Sequence, residues 1–345
     1  MIVKSVVLGL IVGLGLCAVN PLVAQEPKPD SLAAIDAEFD QGLRRLETIR
    51  LQRIGELAAS KTGAEAEALH ETYFRLAITG NLYDQAEKTA ENVIQSPGGS
   101  ARVAMLAHLV NIIAEANRGE FPESLHDLET AIKASKEHKA AALPSVLKLT
   151  LVDAYLQRLV QGGQFEIARQ ALRLVQEHAD DPAVKDLAAQ WQGQVDLVGK
   201  PAPPIAGKDV DGKPVNLADA KGQVTLVIFW ATWNITNAQE VAAFKAAFKA
   251  HEDEGLRVIG VNLDAHRDGG KPIVDVLPDV RRFLIEHNVR WPNLIDAPDR
   301  GDLAGAYGVR DIPANVLIGR DGTVIQFNLT RGNLDKVLTE ALAKK

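Results

Sequence analysis

The chain has 345 residues, of which 46% are hydrophobic and 24% charged, and its formal net charge is -7. This length and balance are typical of a globular protein with about two domains, and they exclude a disordered or collagen-like chain. An acidic chain without clustered Lys and Arg lacks the electrostatic attraction that holds a phosphate backbone. We therefore expect no nucleic-acid partner.

The N-terminus has the pattern of a secretion signal. Lys4 supplies a positive start, Val6 to Leu16 forms an apolar core, and a cleavage position lies before Gln25. The pattern predicts a signal peptide at residues 1–24 and export across the inner membrane to the periplasm or cell envelope. Two alternatives remain open, because residues 5–24 are nearly long enough for an uncleaved membrane anchor and Cys17 hints at lipidation. The membrane is a partner only if this segment is retained.

Cysteine content restricts the chemistry. Cys17 is the only cysteine of the chain, and it lies inside the predicted signal peptide. A chain cleaved before Gln25 has no thiol for a disulfide, a nucleophile or a metal ligand. The 8 histidines include no pair at helical metal-ligand spacing. We therefore expect no metal and no other cofactor.

The first half of the chain is predicted to be helical. Apolar residues three or four apart from Leu32 to Leu57 indicate an amphipathic helix. Three turns that begin at Gly80, Gly119 and Gly163 (GNLYDQA, GEFPESL and GQFEIAR) each lead into a new helix, which predicts helical hairpins. The hairpins resemble tetratricopeptide-type units at irregular spacing, and an ordinary helical bundle explains them equally well. Either architecture predicts an all-α domain at residues 31–195.

Prolines mark the end of the helical pattern. The stretch VGKPAPP at residues 198–204 contains three prolines, which remove backbone donors and cannot continue a helix. The pattern predicts a proline-rich linker at residues 196–205 and an α/β domain at residues 206–345, in which apolar runs alternate with helices. Strands are expected at Val224–Trp230, Arg257–Leu263, Asn293–Ile295, Ala314–Ile318 and Val324–Phe327, and helices at Ala238–His251, Val280–Asn288 and Asn333–Ala343.

A family resemblance emerges from motifs in this second half. VGKPAPPIAG, TLVIFWATW, RVIGVNLD, AYGVRDIP and ANVLIGRDGTVI follow one another in this order. With them, residues 198–345 resemble the TlpA/ResA branch of thioredoxin-like proteins, exported thiol-disulfide oxidoreductases related to the AhpC/TSA peroxiredoxins. The resemblance implies a thioredoxin-like fold. In that family the strand ending in FWATW leads into Cys-x-x-Cys at a helix start, where the helix N-terminus stabilises the attacking thiolate.

In this chain the two cysteine positions are Asn234 and Asn237, separated by Ile235 and Thr236. An amide side chain cannot form a thiolate, so dithiol exchange and thiol-based peroxide reduction are excluded by composition. We expect Asn234 to cap the following helix rather than to take a new catalytic role. The domain is therefore interpreted as having lost the family activity, and no catalytic residue is assigned.

The resemblance also implies a cis peptide bond between Ile312 and Pro313, facing the active-site turn and leaving adjacent backbone free to pair with an extended peptide. Two interpretations follow: a binding groove formed by Trp233, Asn234, Ile312 and Pro313, or a turn that the fold itself requires. Glu240 matches a family acid that assists proton movement between the sulfurs. Without sulfur, we expect it to complement the helix dipole.

Three functions fit these patterns. The leading hypothesis is an exported, redox-inactive thioredoxin-like protein that binds or scaffolds a protein or peptide in the cell envelope. The alternative is a member of a thiol-disulfide pathway that acts through the cysteines of a partner or through a non-thiol reaction. A third is a structural envelope protein whose two domains stabilise one another.

Overall fold

The computed structural model describes residues 32–96, 100–137, 144–234, 237–298 and 301–344. The predicted signal peptide lies outside these ranges, as do Ile235 and Thr236. Across the described ranges, no helix is long and apolar enough to cross a membrane. Residues from Thr48 to Lys345 form one compact unit, and the part of the first helix before Thr48 belongs to a separate unit.

The predicted fold class, a helical region followed by an α/β domain, is confirmed. The helices of the first region are α1 (Leu32–Ala59), α2 (Gly63–Thr79), α3 (Tyr83–Gln95), α4 (Ala101–Arg118), α5 (Phe121–Glu137), α6 (Ser145–Gln161), α7 (Phe165–His178) and α8 (Pro182–Leu197).

Three hairpin turns, between α2 and α3, α4 and α5, and α6 and α7, share one geometry. Each contains a residue with left-handed backbone: Asn81 (φ 53°), Gly119 (φ 82°) and Gly163 (φ 70°). The next amide N–H donates to a carbonyl five positions back, which is the Schellman helix end. At the first turn the left-handed residue is Asn81, because asparagine tolerates this conformation better than other residues with a Cβ.

The second region contains a two-stranded and a five-stranded sheet. The small sheet pairs β1 (Ala206–Lys208) with β2 (Pro214–Asn216), and the large one has the order β5-β4-β3-β6-β7. In the large sheet β3 is parallel to β4 and β4 to β5, whereas β6 is antiparallel to β3 and β7 to β6. Its strands lie close to where the apolar runs predict them: β3 (Val224–Trp230), β4 (Leu256–Asn262), β5 (Asn293–Ile295), β6 (Ala314–Ile318) and β7 (Val324–Phe327).

The helices of this region are α9 (Asn237–His251), α10 (Ile273–Glu286), α11 (Leu303–Ala306) and α12 (Leu334–Ala343). The predicted start of α10 at Val280 was wrong, since the helix begins at Ile273 and contains Pro278. Proline removes one helical hydrogen bond. The helix nevertheless extends through it because Val276 continues the buried stripe formed by Val280 and Leu284.

Both faces of the large sheet are buried. Along β3, Leu226 and Ile228 pack in a cluster with residues of α9 and α12. Val227 and Phe229 point to the opposite face, as the two-residue period of a strand requires. They belong to a continuous buried cluster that includes residues of the helical region, from Leu51 to Val195. The helical region and the sheet therefore share one core, which fixes α6 and α8 beside the sheet.

The segment predicted as a linker pairs with the sheet. Within residues 198–204, the Gly199 N–H donates to the Val324 carbonyl and the Ala202 N–H to the Gly322 carbonyl, each at 2.9 Å. Prolines are compatible with such an edge position, where some backbone N–H groups are not needed for pairing. This pairing ties the end of the helical region to β7.

Candidate binding cleft

A buried carboxylate holds the turn that follows β3. Asp264 is 4% exposed. It accepts hydrogen bonds from the Thr232 backbone N–H at 2.8 Å and from Thr232 Oγ1 at 2.7 Å. The two residues meet because β3 and β4 are parallel, so that their carboxyl ends lie at the same edge of the sheet. Sequence reasoning missed Asp264, and its position at the end of the apolar run RVIGVNLD was the available signal.

The peptide bond between Ile312 and Pro313 is cis, as expected. The Asn234 side chain reaches this bond, and its Nδ2 donates to the Ile312 carbonyl oxygen at 2.5 Å. The residue at the first cysteine position therefore binds the backbone immediately before the cis-proline. A peptide strand that needs the same carbonyl as an acceptor has to compete with Asn234 for it. The helix-capping role expected for Asn234 stays a prediction.

The other predicted groove residues are distributed around this turn. Trp233 is 44% exposed, and the Arg267 guanidinium lies 5.8 Å from its ring centroid. By contrast Trp230 is buried and donates its indole N–H to Asn293 Oδ1 at 3.0 Å, as a packing residue would. The Asn237 side chain lies outside the described part of the structure. Asn234 and Ile312 are thus brought into contact, while Trp233 lies beside Arg267.

A cavity of 660 Å³ opens beside Pro313, between the helical region and the α/β region. We call it the cis-proline cleft. The residues that α6 and α8 contribute to its lining are Asp153, Gln157, Gln161, Trp191 and Gln194. Sequence reasoning missed all of them, because no local pattern indicates that these helices face a proline so distant in the sequence.

Side-chain amides fix the helical side of the cleft. The Gln161 carbonyl, at the end of α6, accepts from Gln326 Nε2 and from Asn333 Nδ2, both at 2.9 Å. Gln194 Nε2 donates to the Gly308 carbonyl at 2.8 Å. Carbonyls in the last turn of a helix have no intrahelical donor, and here the second region supplies one. The two sides of the cleft are therefore held together by direct hydrogen bonds.

An aromatic side chain covers part of the cleft. Trp191 donates its indole N–H to Asp153 Oδ1 at 2.9 Å, and the Arg310 guanidinium lies 5.8 Å from its ring centroid. Cation–π contacts of this kind contribute about 0.5–1 kcal/mol at exposed sites. Trp191 is thereby oriented from both regions, with its ring edge bonded to α6 and its face toward Arg310.

Charges of both signs line the cleft. Asp153, Glu240 and Asp311 are acidic, and Arg310 and Arg331 are basic. Glu240 lies in the first turn of α9, as expected, and is half-buried. Burial raises the pKa of its carboxyl, and the nearby Arg331 guanidinium opposes part of that change. Such a surface suits a polar ligand of mixed charge better than a strongly anionic or cationic one.

The class of protein follows from this architecture. A mixed sheet whose central strand leads through a tight turn into a helix, with the turn bonded to the carbonyl that precedes a cis-proline, is a thioredoxin fold. Residues 198–327 match the AhpC/TSA family. The second domain of this chain is similar to the TlpA/ResA-like thioredoxin-fold proteins of that group.

Several known proteins are similar to this domain. The thiol-disulfide oxidoreductase ResA of Bacillus thuringiensis subsp. konkukian is 29% identical over 129 residues, which cover 37% of this chain and 68% of ResA. The thioredoxin-like protein YneN of Bacillus subtilis is 29% identical over 126 residues, covering 36% and 68%. The crystal structure of a thiol:disulfide interchange protein from Chlorobium tepidum is 24% identical with a TM-score of 0.36, covering 41% of this chain and 96% of that one.

Proposed function

We propose that this protein is a redox-inactive member of the thioredoxin-like family that binds a protein or peptide partner in the cell envelope. The observation that carries the proposal is the cis-proline cleft. Helices of the first region line the space beside Pro313, and next to it an asparagine amide, in place of a thiol, binds the carbonyl that precedes the proline.

The loss of thiol chemistry is supported by the residues themselves. Exchange between a dithiol and a disulfide requires two sulfurs, and this sequence contains a single cysteine, Cys17. Asn234 cannot replace a thiolate, because its amide does not ionise at any relevant pH. The thiol-disulfide activity in the names of the relatives therefore requires residues that this chain does not have.

A binding role is supported by the size and chemistry of the cleft. Its volume of 660 Å³ lies within the range of about 300–1,000 Å³ that is usual for ligand pockets. The lining combines an aromatic ring at Trp191 with amides, carboxylates and guanidinium groups, a mixture that suits a polypeptide. The export pattern at residues 1–24 supports a partner in the envelope.

Site-specific photo-cross-linking in cells of the source organism tests this proposal. Asp311 is exposed and lines the cleft, whereas Asp253 is exposed on the same domain and lies away from it. Replacing each in turn by p-benzoylphenylalanine places a photoreactive ring at either site. We expect a defined protein adduct from position 311 only. Identical adducts at both positions, or none at either, would contradict binding at the cleft.

Export and thiol content are checked by intact mass spectrometry of the protein from the native envelope, with and without an alkylating reagent. A mass that begins near Gln25 and does not change with the reagent is expected. A retained or lipidated Cys17 would instead show that the protein is anchored.

The relatives' names support a second candidate, a role in a thiol-disulfide pathway through a partner's cysteines. An insulin-reduction assay with dithiothreitol tests for direct activity of the chain. We expect the rate of the reagent alone. A rate above it that persists after removal of contaminating thioredoxins would contradict the proposal that the protein is redox-inactive. The matched positive control is the double variant N234C/N237C, which restores the family's cysteine spacing.

A further inference from the structure

A second cavity lies along α6 in the helical region. Its volume is 520 Å³, and it reaches the first hairpin turn at Asn81 and the end of α4 at Asn117. Asp153, Gln157 and Gln161 line both this cavity and the cis-proline cleft. These three residues are spaced four apart, so they lie on one face of α6. The two cavities therefore adjoin along α6, and we call them together the α6 groove.

We propose that the α6 groove holds an extended, unfolded polypeptide segment that runs along α6 and ends in the cis-proline cleft. The proposal rests on the proposed binding function and specifies the state of the partner: an unfolded segment of mixed sequence, and not a folded surface or a small molecule.

The chemistry of α6 supports this occupant. Among the residues that the structure describes, the side chains of Gln157 and Gln161 have no hydrogen-bond partner, and both face the groove. In the cleft, Asn328 Oδ1 is a buried acceptor without a donor from the described residues. Each side-chain amide both donates and accepts hydrogen bonds. A peptide backbone presents N–H and C=O groups in alternation, so it can satisfy these amides whatever its side chains are.

The far end of the α6 groove is a fixed structure. Arg158 donates from its terminal nitrogen to Asn81 Oδ1 at 3.0 Å and from Nε to Asn117 Oδ1. Its guanidinium also lies 5.2 Å from the ring centroid of Tyr83. One side chain of α6 thereby links the ends of α2 and α4. The groove is held in shape by these contacts, so a segment that enters it meets a preformed surface.

The length of the groove sets the length of the segment. From Thr150, which lines the outer cavity, to Gln161, α6 rises about 16 Å at 1.5 Å per residue. An extended chain at about 3.3 Å per residue covers this distance with roughly five residues. With a few more residues in the cis-proline cleft, we expect a segment of roughly eight residues.

The test measures binding of the full chain to a defined unfolded probe. Fluorescently labelled α-lactalbumin, reduced and carboxymethylated, stays unfolded and carries no free thiol, and the native protein is the folded counterpart. We expect anisotropy titrations to show binding of the unfolded form and at least tenfold weaker binding of the native form. Labelled fragments of about eight residues from the same protein should bind at least tenfold more tightly than fragments of about four.

A matched pair of variants locates the binding. Q157A/Q161A removes two amides from the groove, and we expect about tenfold weaker binding of the unfolded probe. Q190A removes an exposed glutamine from α8, away from both cavities, and should bind as the wild type does. If Q157A/Q161A does not fold by circular dichroism, T150R provides a second variant, because it places a long side chain in the outer cavity.

The outcomes separate the two proposals. If photo-cross-linking at position 311 yields a specific adduct but Q157A/Q161A binds the unfolded probe as wild type does, the α6-groove proposal is wrong and binding at the cleft stands. Equal affinity for fragments of four and eight residues, or for native and unfolded α-lactalbumin, also overturns it. If neither a specific adduct nor probe binding is found, both proposals fail.

Discussion

Replacing Asn234 by alanine removes the hydrogen bond between its amide and the Ile312 carbonyl. One neutral hydrogen bond contributes about 0.5–1.5 kcal/mol to stability, and Asn234 is only half-buried, so that water can reach part of the site. We therefore expect N234A to lower the free energy of unfolding by about 1 kcal/mol. The same change releases the Ile312 carbonyl, and binding of an extended peptide that pairs with the backbone before Pro313 should become tighter.

A second substitution at this position makes the test more specific. N234D keeps the shape of the side chain, but an ionised carboxylate faces the Ile312 carbonyl without a proton to donate. We expect N234D to be less stable than N234A at pH 7. At pH 4 a protonated carboxyl can donate to the carbonyl, so the folded state binds more protons than the unfolded state and part of the stability returns.

The measurement is urea denaturation followed by tryptophan fluorescence at both pH values. N92A is the matched control, because Asn92 is exposed on α3 and its side chain has no hydrogen bond within the described residues. Its stability should equal that of the wild type or slightly exceed it, since alanine is the better helix former. The reasoning is refuted if N234A unfolds at the wild-type midpoint and N234D shows no dependence on pH beyond that of the wild type.

Two further substitutions test contacts that hold the second domain. His251 lies 3.0 Å from Glu254 and 3.1 Å from Asp335, and these carboxylates raise the pKa of its imidazole in the folded state. The protonated imidazole therefore stabilises the fold fully below the pKa of the unfolded state, about 6.5. This stabilisation is lost as the pH rises through the higher pKa of the folded state. The urea midpoint of the wild type should therefore decrease as the pH rises past the folded-state pKa of His251. The midpoint of H251Q should change less over the same pH range. D264A removes the acceptor of two hydrogen bonds from Thr232, and we expect a loss of about 3 kcal/mol in the free energy of unfolding.

These two predictions have clear contrary results. Equal pH profiles for wild type and H251Q would show that the histidine does not gain a proton on folding. For D264A the control is D253A, which changes an exposed aspartate of the same domain and should leave the midpoint unchanged. Equal losses from the two aspartate variants would mean that the turn after β3 does not depend on Asp264.

Much of the fold was predictable because its signals are local. The strands β3, β5, β6 and β7 have the predicted bounds, since each is an apolar run flanked by polar or turn residues. A local signal also misled at one point. The proline in α10 suggested a later start for this helix, but the packing of Val276 outweighs it. The competing effect depends on neighbours that a short window of sequence does not contain.

The sequence by itself determined the chemistry that is unavailable: one cysteine and two asparagines at the family's redox positions exclude a dithiol. Only the tertiary structure decided what occupies that site. The Asn234–Ile312 contact joins residues 78 positions apart, and the Gln326–Gln161 contact joins residues 165 apart. Propensity and periodicity act over a few neighbouring residues, whereas contacts at such distances form when a shared core packs the helical region against the sheet. That packing, and no single motif, places α6 opposite Pro313.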